Sequence, residues 1–223
     1  MKYLIFDAGP LIALTMNGLL NIVEKMKENF DGEFILTPAV KIEVIDKPIK
    51  IKKYKLEAVK VTDLINRGVL KMSKDFIDDN LLRNESKKIL NIANGVLRDH
   101  QRGEKITILQ EGEASCLAFD NLVEGDCMIV VDERTTRFLV ENPKKIEEIM
   151  EKKSHTDLDF NEELLKDFKK YKIMRSAELL YIAHHKGLTG LVKTKDVLDA
   201  LLYAVKFKGT AVSNNEIEQM KKM

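Results

Sequence analysis

The sequence predicts a three-layer α/β/α sandwich with a central parallel sheet, on three observations. Short apolar runs with little alternation recur at 2–7 (KYLIFD), 33–36 (EFIL) and 127–132 (CMIVVD). Strands buried on both faces read this way. Segments with helical spacing separate the runs, and strands alternating with helices imply right-handed crossovers and a parallel sheet. Finally, 223 residues with 44% hydrophobic and 33% charged side chains, but only 11 Gly and 4 Pro, suit a helix-rich globule and exclude collagenous and disordered chains.

Taken in order, residues 2–7 form the first strand; the single lysine and the early carboxylate of Asp7 do not fit a signal peptide. After Gly9-Pro10, the apolar spacing of Leu11, Ile12, Leu14, Leu19, Leu20 and Val23 predicts one helix to about Lys27. Asp31-Gly32 is a turn into the second strand. Thr37-Pro38 then reads as an N-cap followed by proline at the first helical position, opening a helix with Val40, Glu43 and Val44 that ends before Pro48. Residues 49–110 read as a lysine-rich connection and helices, with Leu82, Ile89, Ala93, Val96 and Leu97 on one face of a helix over 76–98. A helix spans Gly112–Leu122, Gly125-Asp126 turns into the strand 127–132, and the chain is helical again from 133. The Lys/Glu-dense stretch 143–172 reads as solvated helix and loop, followed by helices near 173–186 and 194–207 and a tail in which Ser213 caps a helix. The domain reading is a core over 1–142 with a helical insertion at about 46–109, and a segment 143–223 whose helices pack on it.

Charge is balanced, with 37 basic against 36 acidic residues, so no global field points to a polyanion and any such function needs a local site. No run is long and apolar enough for a membrane span, and Cys116 and Cys127 do not make a disulfide framework, which predicts a soluble, cytoplasmic chain. Lys/Glu/Ile richness without Trp is like that of thermophile or archaeal proteins.

In open α/β sheets ligands bind beyond the carboxyl ends of the strands. Asp7 and Asp132 end predicted strands, Glu43 lies in the second turn of a helix leaving another, and Glu113 in the first turn of the next helix. All four are expected at one rim. Uncompensated carboxylates packed together repel, and a hard divalent cation, Mg²⁺ or Mn²⁺, removes that cost. Without His or Cys the set does not suit zinc. Taken singly, each acid has an ordinary explanation as turn former, helix cap or solvated helix residue.

Phe6-Asp7-Ala8-Gly9-Pro10-Leu11-Ile12, Leu36-Thr37-Pro38 through Glu43-Val44, Gly112-Glu113-Ala114-Ser115 and Ile129-Val130-Val131-Asp132-Glu133-Arg134 together resemble the acidic motifs of PIN domain nucleases. The likeness covers 1–46 and 108–140, and more loosely 174–215, where Ala183-His184-His185-Lys186-Gly187-Leu188 is similar to a helix-turn segment of prokaryotic VapC-like members. The resemblance implies Asp7, Glu43, Glu113 and Asp132 as the catalytic and metal-binding set, with Glu133 as an additional acid. It implies Mg²⁺- or Mn²⁺-dependent hydrolysis of phosphodiester bonds, in RNA rather than DNA, with Arg134 and Arg137 as phosphate contacts. A homodimer and an antitoxin-type protein partner are further implications. The long stretch between Glu43 and Glu113 departs from the small toxins.

The alternative is a PIN-like nucleic-acid-binding or scaffold module with little or no catalysis. A phosphatase of the haloacid-dehalogenase type needs a second Asp at position 9, where this chain has Gly. A receiver domain needs an adjacent acidic pair early in the chain. His184 and His185 point about 100° apart on a helix and cannot share one site; His100 and His155 read as surface residues without partners. The lysines at 47, 50, 52, 53, 55 and 60 are expected to be solvated or to guide a polyanion toward Glu43. Few aromatics advertise base stacking.

Overall fold

The computed structural model describes residues 1–154 and 156–222; His155, expected to be a surface residue, lies outside them. Strand β1 (Lys2–Phe6) leads through Asp7 into α1 (Ala8–Met16) and α2 (Leu20–Glu28), then β2 (Glu33–Leu36). One long helix was expected over 11–27. The chain instead breaks at Asn17-Gly18, where Gly18 adopts a φ of 69° that side chains with a Cβ disfavour. Helix α3 (Pro38–Lys41) begins as the sequence predicts, with Thr37 Oγ1 accepting from Val40 N at 3.4 Å. It then widens into a π-turn over Ile42–Asp46 that carries Glu43.

Helix α4 (Lys55–Asn66) follows, then β3 (Lys71–Met72), α5 (Asp79–Ala93) and β4 (Leu97–Asp99). The expected helix over 76–98 is shorter: Asp78 caps its start, and past Gly95 Val96 and Leu97 belong to the approach and strand β4. Helix α6 (Glu111–Leu122), β5 (Asp126–Val130), α7 (Arg134–Glu141), α8 (Lys144–Ser154), β6 (Leu158–Phe160), β7 (Ile173–Met174), α9 (Ser176–His185), α10 (Lys195–Lys206) and α11 (Asn214–Lys222) complete the chain. Ser213 caps α11 as expected, accepting from Glu216 N while Glu216 Oε2 accepts from Ser213 N.

The main sheet is parallel, in the order β3-β2-β1-β5-β7, and helices cover its faces, the expected α/β/α arrangement. Its edge strands come from the two parts read as insertion and appendage, so both are built into the sheet. A separate antiparallel pair joins β4 to β6, and there His100 Nδ1 lies 2.8 Å from Asp159 Oδ1. That pairing corrects the expectation of an unpartnered His100.

The segment 143–172 is also less solvated than its composition suggests. Ile146 and Met150 of α8 and Leu165 and Phe168 of a 3₁₀ stretch over Glu162–Lys170 are buried in the main core. One apolar anchor per turn suffices to dock a helix whose remaining face is Lys and Glu. Phe6, Ile5 and Ile35 of the inner strands are fully buried, as is Phe119 of α6.

The C-terminal segment is strapped down by a buried guanidinium. Arg175 pairs with Glu178, lies 2.7 Å from Glu216 Oε1 and donates to the Ala211 carbonyl at 2.9 Å. Removing the guanidinium leaves two partly exposed carboxylates and the Ala211 carbonyl without their donor. Arg175→Ala is expected to cost about 2 kcal/mol, roughly 4–8 °C of melting temperature in a chain of this size, measurable by calorimetric unfolding.

Candidate acidic site at the carboxyl rim

The register of β1 and β5, Phe6 opposite Val130, delivers Asp7 and Asp132 to neighbouring positions just beyond the strand ends. Gly9 packs between them: a Cβ there would stand 3.5 Å from Asp132 Cβ and 3.7 Å from Asp7 Oδ2. Glu43 arrives on the π-turn after β2, and Glu113 in the first turn of α6. A Cβ on Gly112 would stand 2.9 Å from Glu43 Oε1 and 3.3 Å from Asp7 Oδ1. The glycine therefore leaves the space at which these two carboxylates face one another. A pocket of about 300 Å³ is lined by Asp7, Glu43, Glu113 and Asp132, with Glu133, Gln110 and Lys208. The four predicted acids meet.

Their hydrogen bonding differs. Asp7 caps α1, its Oδ2 3.4 Å from Gly9 N. Glu113 closes a turn with Gln110 N (2.7 Å) and accepts from Thr136 Oγ1 (2.7 Å). Asp132 accepts from Ser176 N (2.8 Å), Ser176 Oγ (2.8 Å) and Thr210 Oγ1 (2.9 Å). Glu43 is half-buried and has no hydrogen-bond partner among the described residues. In this arrangement no three His, Cys, Asp or Glu side chains among the described residues are set as a ligand group for one metal ion.

Two hydroxyls fix the relative placement of the segments. Ser115 Oγ donates to the Gly112 carbonyl at 2.6 Å and lies 2.5 Å from Thr37 Oγ1. With the Ser115 proton given to Gly112, Thr37 must donate to Ser115, and Val40 N donates to Thr37. This chain ties the start of α3 to the start of α6, and so Glu43 to Gly112.

Burial raises the carboxyls of Asp7, Glu43, Glu113 and Asp132. For Asp7, burial and then the neighbouring Glu113 charge push it from 3.8 to about 8, against the helix-start N–H groups. Lys47 opposes the rise at Glu43, and the Ser176 and Thr210 donors oppose it at Asp132.

The remaining predicted contacts fare unevenly. Glu133 lines the pocket mouth and is exposed; Arg134 is exposed and does not line it. Arg137 corrects the reading of a free phosphate ligand. Its guanidinium bonds Glu141 Oε2 (2.9 Å) and the Ala211 carbonyl (3.3 Å), holding the C-terminal segment instead. Of the lysines at 47–60, all exposed, only Lys47 approaches the acids. His184 is buried and His185 exposed, and both cysteines are buried free thiols, as expected. Ser176, Thr210 and Lys208 were not foreseen, because they reach the site only through the fold of a distant segment. A separate, mostly apolar cavity of about 290 Å³ lies at the amino ends of β1 and β5, near Lys2 and Asp126, away from the acids.

Comparison of the chain with protein-family models, curated proteins and solved structures gave no match. No helix among the described residues is long and apolar enough to cross a membrane.

The raised Asp7 carboxyl sets a direction for stability. The folded chain holds this proton up to about pH 8 while the unfolded chain releases it near 3.8, so the folded state binds more protons across that window. Stability from this group is therefore present at low pH and falls as pH rises from about 4 to about 8, by up to about 1.4 kcal/mol per pH unit. In chelator-treated protein, Asp7→Asn is expected to raise the melting temperature at pH 8 by at least about 3 °C, with the gain vanishing near pH 4.

Proposed function

We propose that the chain is a Mg²⁺- or Mn²⁺-dependent nuclease of the PIN type that hydrolyses phosphodiester bonds, in RNA rather than DNA. The observation that carries this reading is the convergence of Asp7 and Glu43 on the space above Gly112, with Glu113 and Asp132 lining the same pocket. The donor set fits a hard cation: the pocket offers carboxylate oxygens and no His or Cys. Asp7 and Glu43 would hold the ion, Glu113 adding the lone pairs that Thr136 and Gln110 leave free. When bound, the ion supplies Lewis-acid polarisation of a phosphate and a water of lowered pKa.

The chain's own residues do the rest. No Ser, Thr, Cys, His or Tyr lines the pocket among the described residues, and in this reading the carboxylates are taken up with holding the ion, which leaves water as the attacking group. Lys208 sets a positive charge at a pocket that would otherwise repel a phosphate. Buried Asp7 is shielded from bulk water, while half-buried Glu43 faces the entrance.

A second reading, a nucleic-acid-binding or scaffold module with little catalysis, is favoured by one observation: Asp132 and Glu113 already serve as hydrogen-bond acceptors that hold helix starts and the tail. Cleavage of labelled single-stranded and structured RNA in Mn²⁺ separates the readings. The native chain is expected to cut, and Asp7→Asn and Glu43→Gln to lose at least about a hundredfold in rate, as removal of groups stabilising a developing charge does. Equal rates in native and variant protein would sink the assignment, and no Mn²⁺ heat in titration calorimetry would favour the scaffold.

Gly112→Ala tests the site without replacing an acid. The added methyl would stand 2.9 Å from Glu43 Oε1 and 3.3 Å from Asp7 Oδ1, side-chain atoms rather than backbone, and alanine is the better helix former. Stability is expected to stay within about 1 kcal/mol of native while Mn²⁺ affinity falls about tenfold or more.

A further inference from the structure

A second cavity of about 470 Å³ adjoins the acid pocket, with Glu43 and Gln110 lining both. Lys47, just past the π-turn, stands on one side of this groove, and Asn91 of α5 lines it. Lys105 and Thr107 come from the connection between β4 and α6. All four side chains are exposed to water. Among the described residues two carboxylates, Glu43 and Glu111, also line it. At the acid pocket itself, the end of α10 supplies Lys208, and the residue before it, Phe207, is 78% exposed with its ring stacked 5.9 Å from Tyr203.

Ammonium, amide and hydroxyl groups are the donors that grip phosphate and sugar oxygens. An exposed aromatic beside a cation is the arrangement on which an unpaired base stacks. Scattered surface lysines mean little. Here two of them line a groove that shares Glu43 with the acid pocket, and a third lines that pocket and follows the exposed Phe207 in the chain.

We propose that this side groove is a binding site for the RNA strand flanking the scissile phosphate, Lys47 and Lys105 taking backbone phosphates with Asn91 and Thr107, while Lys208 and Phe207 take the next phosphate and an unpaired base. The inference rests on the nuclease reading for its scissile phosphate, yet it concerns binding. It assigns strand recognition to the β4–α6 connection and the end of α10, leaving hydrolysis to the rim of the sheet.

The test is fluorescence anisotropy of a labelled single-stranded RNA oligonucleotide on the full chain carrying Asp7→Asn, in chelator, across a salt series. Adding Lys47→Gln and Lys105→Gln is expected to weaken binding at least tenfold and reduce the salt slope by about 1–2. Phe207→Ala is expected to weaken single-stranded RNA about five- to thirtyfold and leave a blunt duplex unchanged. Lys52→Gln with Lys60→Gln, outside the groove, should change neither, and thermal melts check that each variant folds. Binding within twofold of the parent for the Lys47/Lys105 pair, or no RNA binding by the parent, overturns the inference. Groove variants that lose RNA binding while the native chain fails to cut in Mn²⁺ would keep the groove and discard the nuclease. Native cleavage unaffected by the groove variants would do the reverse.

Discussion

Holding several carboxylates at one buried rim without matching positive charge is the constraint on which this structure turns. Each ionised group is disfavoured by loss of water and by its neighbours, and Asp7, pushed to about 8, shows the combined size of the effect. An apolar residue at position 7 would carry no such cost but would leave the start of α1 without its cap. The parallel sheet brings Asp7 and Asp132 to the same rim, since β1 and β5 end side by side with Phe6 opposite Val130, and the π-turn after α3 and the first turn of α6 add Glu43 and Glu113.

The surrounding structure manages the repulsion in two ways. Hydrogen-bond donors stand in for positive charge at Asp132 and Glu113, drawn from helix starts and from Ser176, Thr210 and Thr136. Space does the work at Gly112, where the missing side chain lets Glu43 and Asp7 face the same volume. The Thr37–Ser115–Gly112 hydroxyl chain then fixes the distance between the two segments, because each hydroxyl is buried and each proton has one destination. A glycine and two small hydroxyls thus set the geometry of much larger charged groups.

How much of this could be read from the residues depends on range. Strands β1, β2 and β5 were legible because three or four mostly consecutive buried residues leave a short apolar run, and Thr37 and Ser213 because a cap is written within three residues of its helix. Strands β3 and β7 were not, since two residues carry no period, and their place in the sheet is set by partners elsewhere in the chain. The single helix expected over 11–27 failed at Gly18, a backbone break that hydrophobic spacing ignores. The four acids were found from their positions at strand and helix ends. Their individual bonding was not, because Ser176 and Thr210 lie 44 and 78 residues from Asp132.

That bonding ranks the acids by what they have left to give. A carboxylate has about four acceptor sites. Among the described residues Glu43 has given none away, Asp7 serves backbone N–H groups at its helix start, and Glu113 has accepted two donors. Asp132 has taken three, from Ser176 N, Ser176 Oγ and Thr210 Oγ1. Under the proposed reading, a cation in the pocket would meet Glu43 and Asp7 first, and could claim Asp132 fully only by displacing Thr210 or Ser176. Ser176 opens α9, while Thr210 belongs to the tail segment, where Ala211 N donates to the Asp132 backbone carbonyl and Arg175 holds the Ala211 carbonyl and Glu216. Under that reading cation and tail would draw on the same carboxylate, and loosening the tail would release the Thr210 hydroxyl from Asp132 while Ser176 still held it.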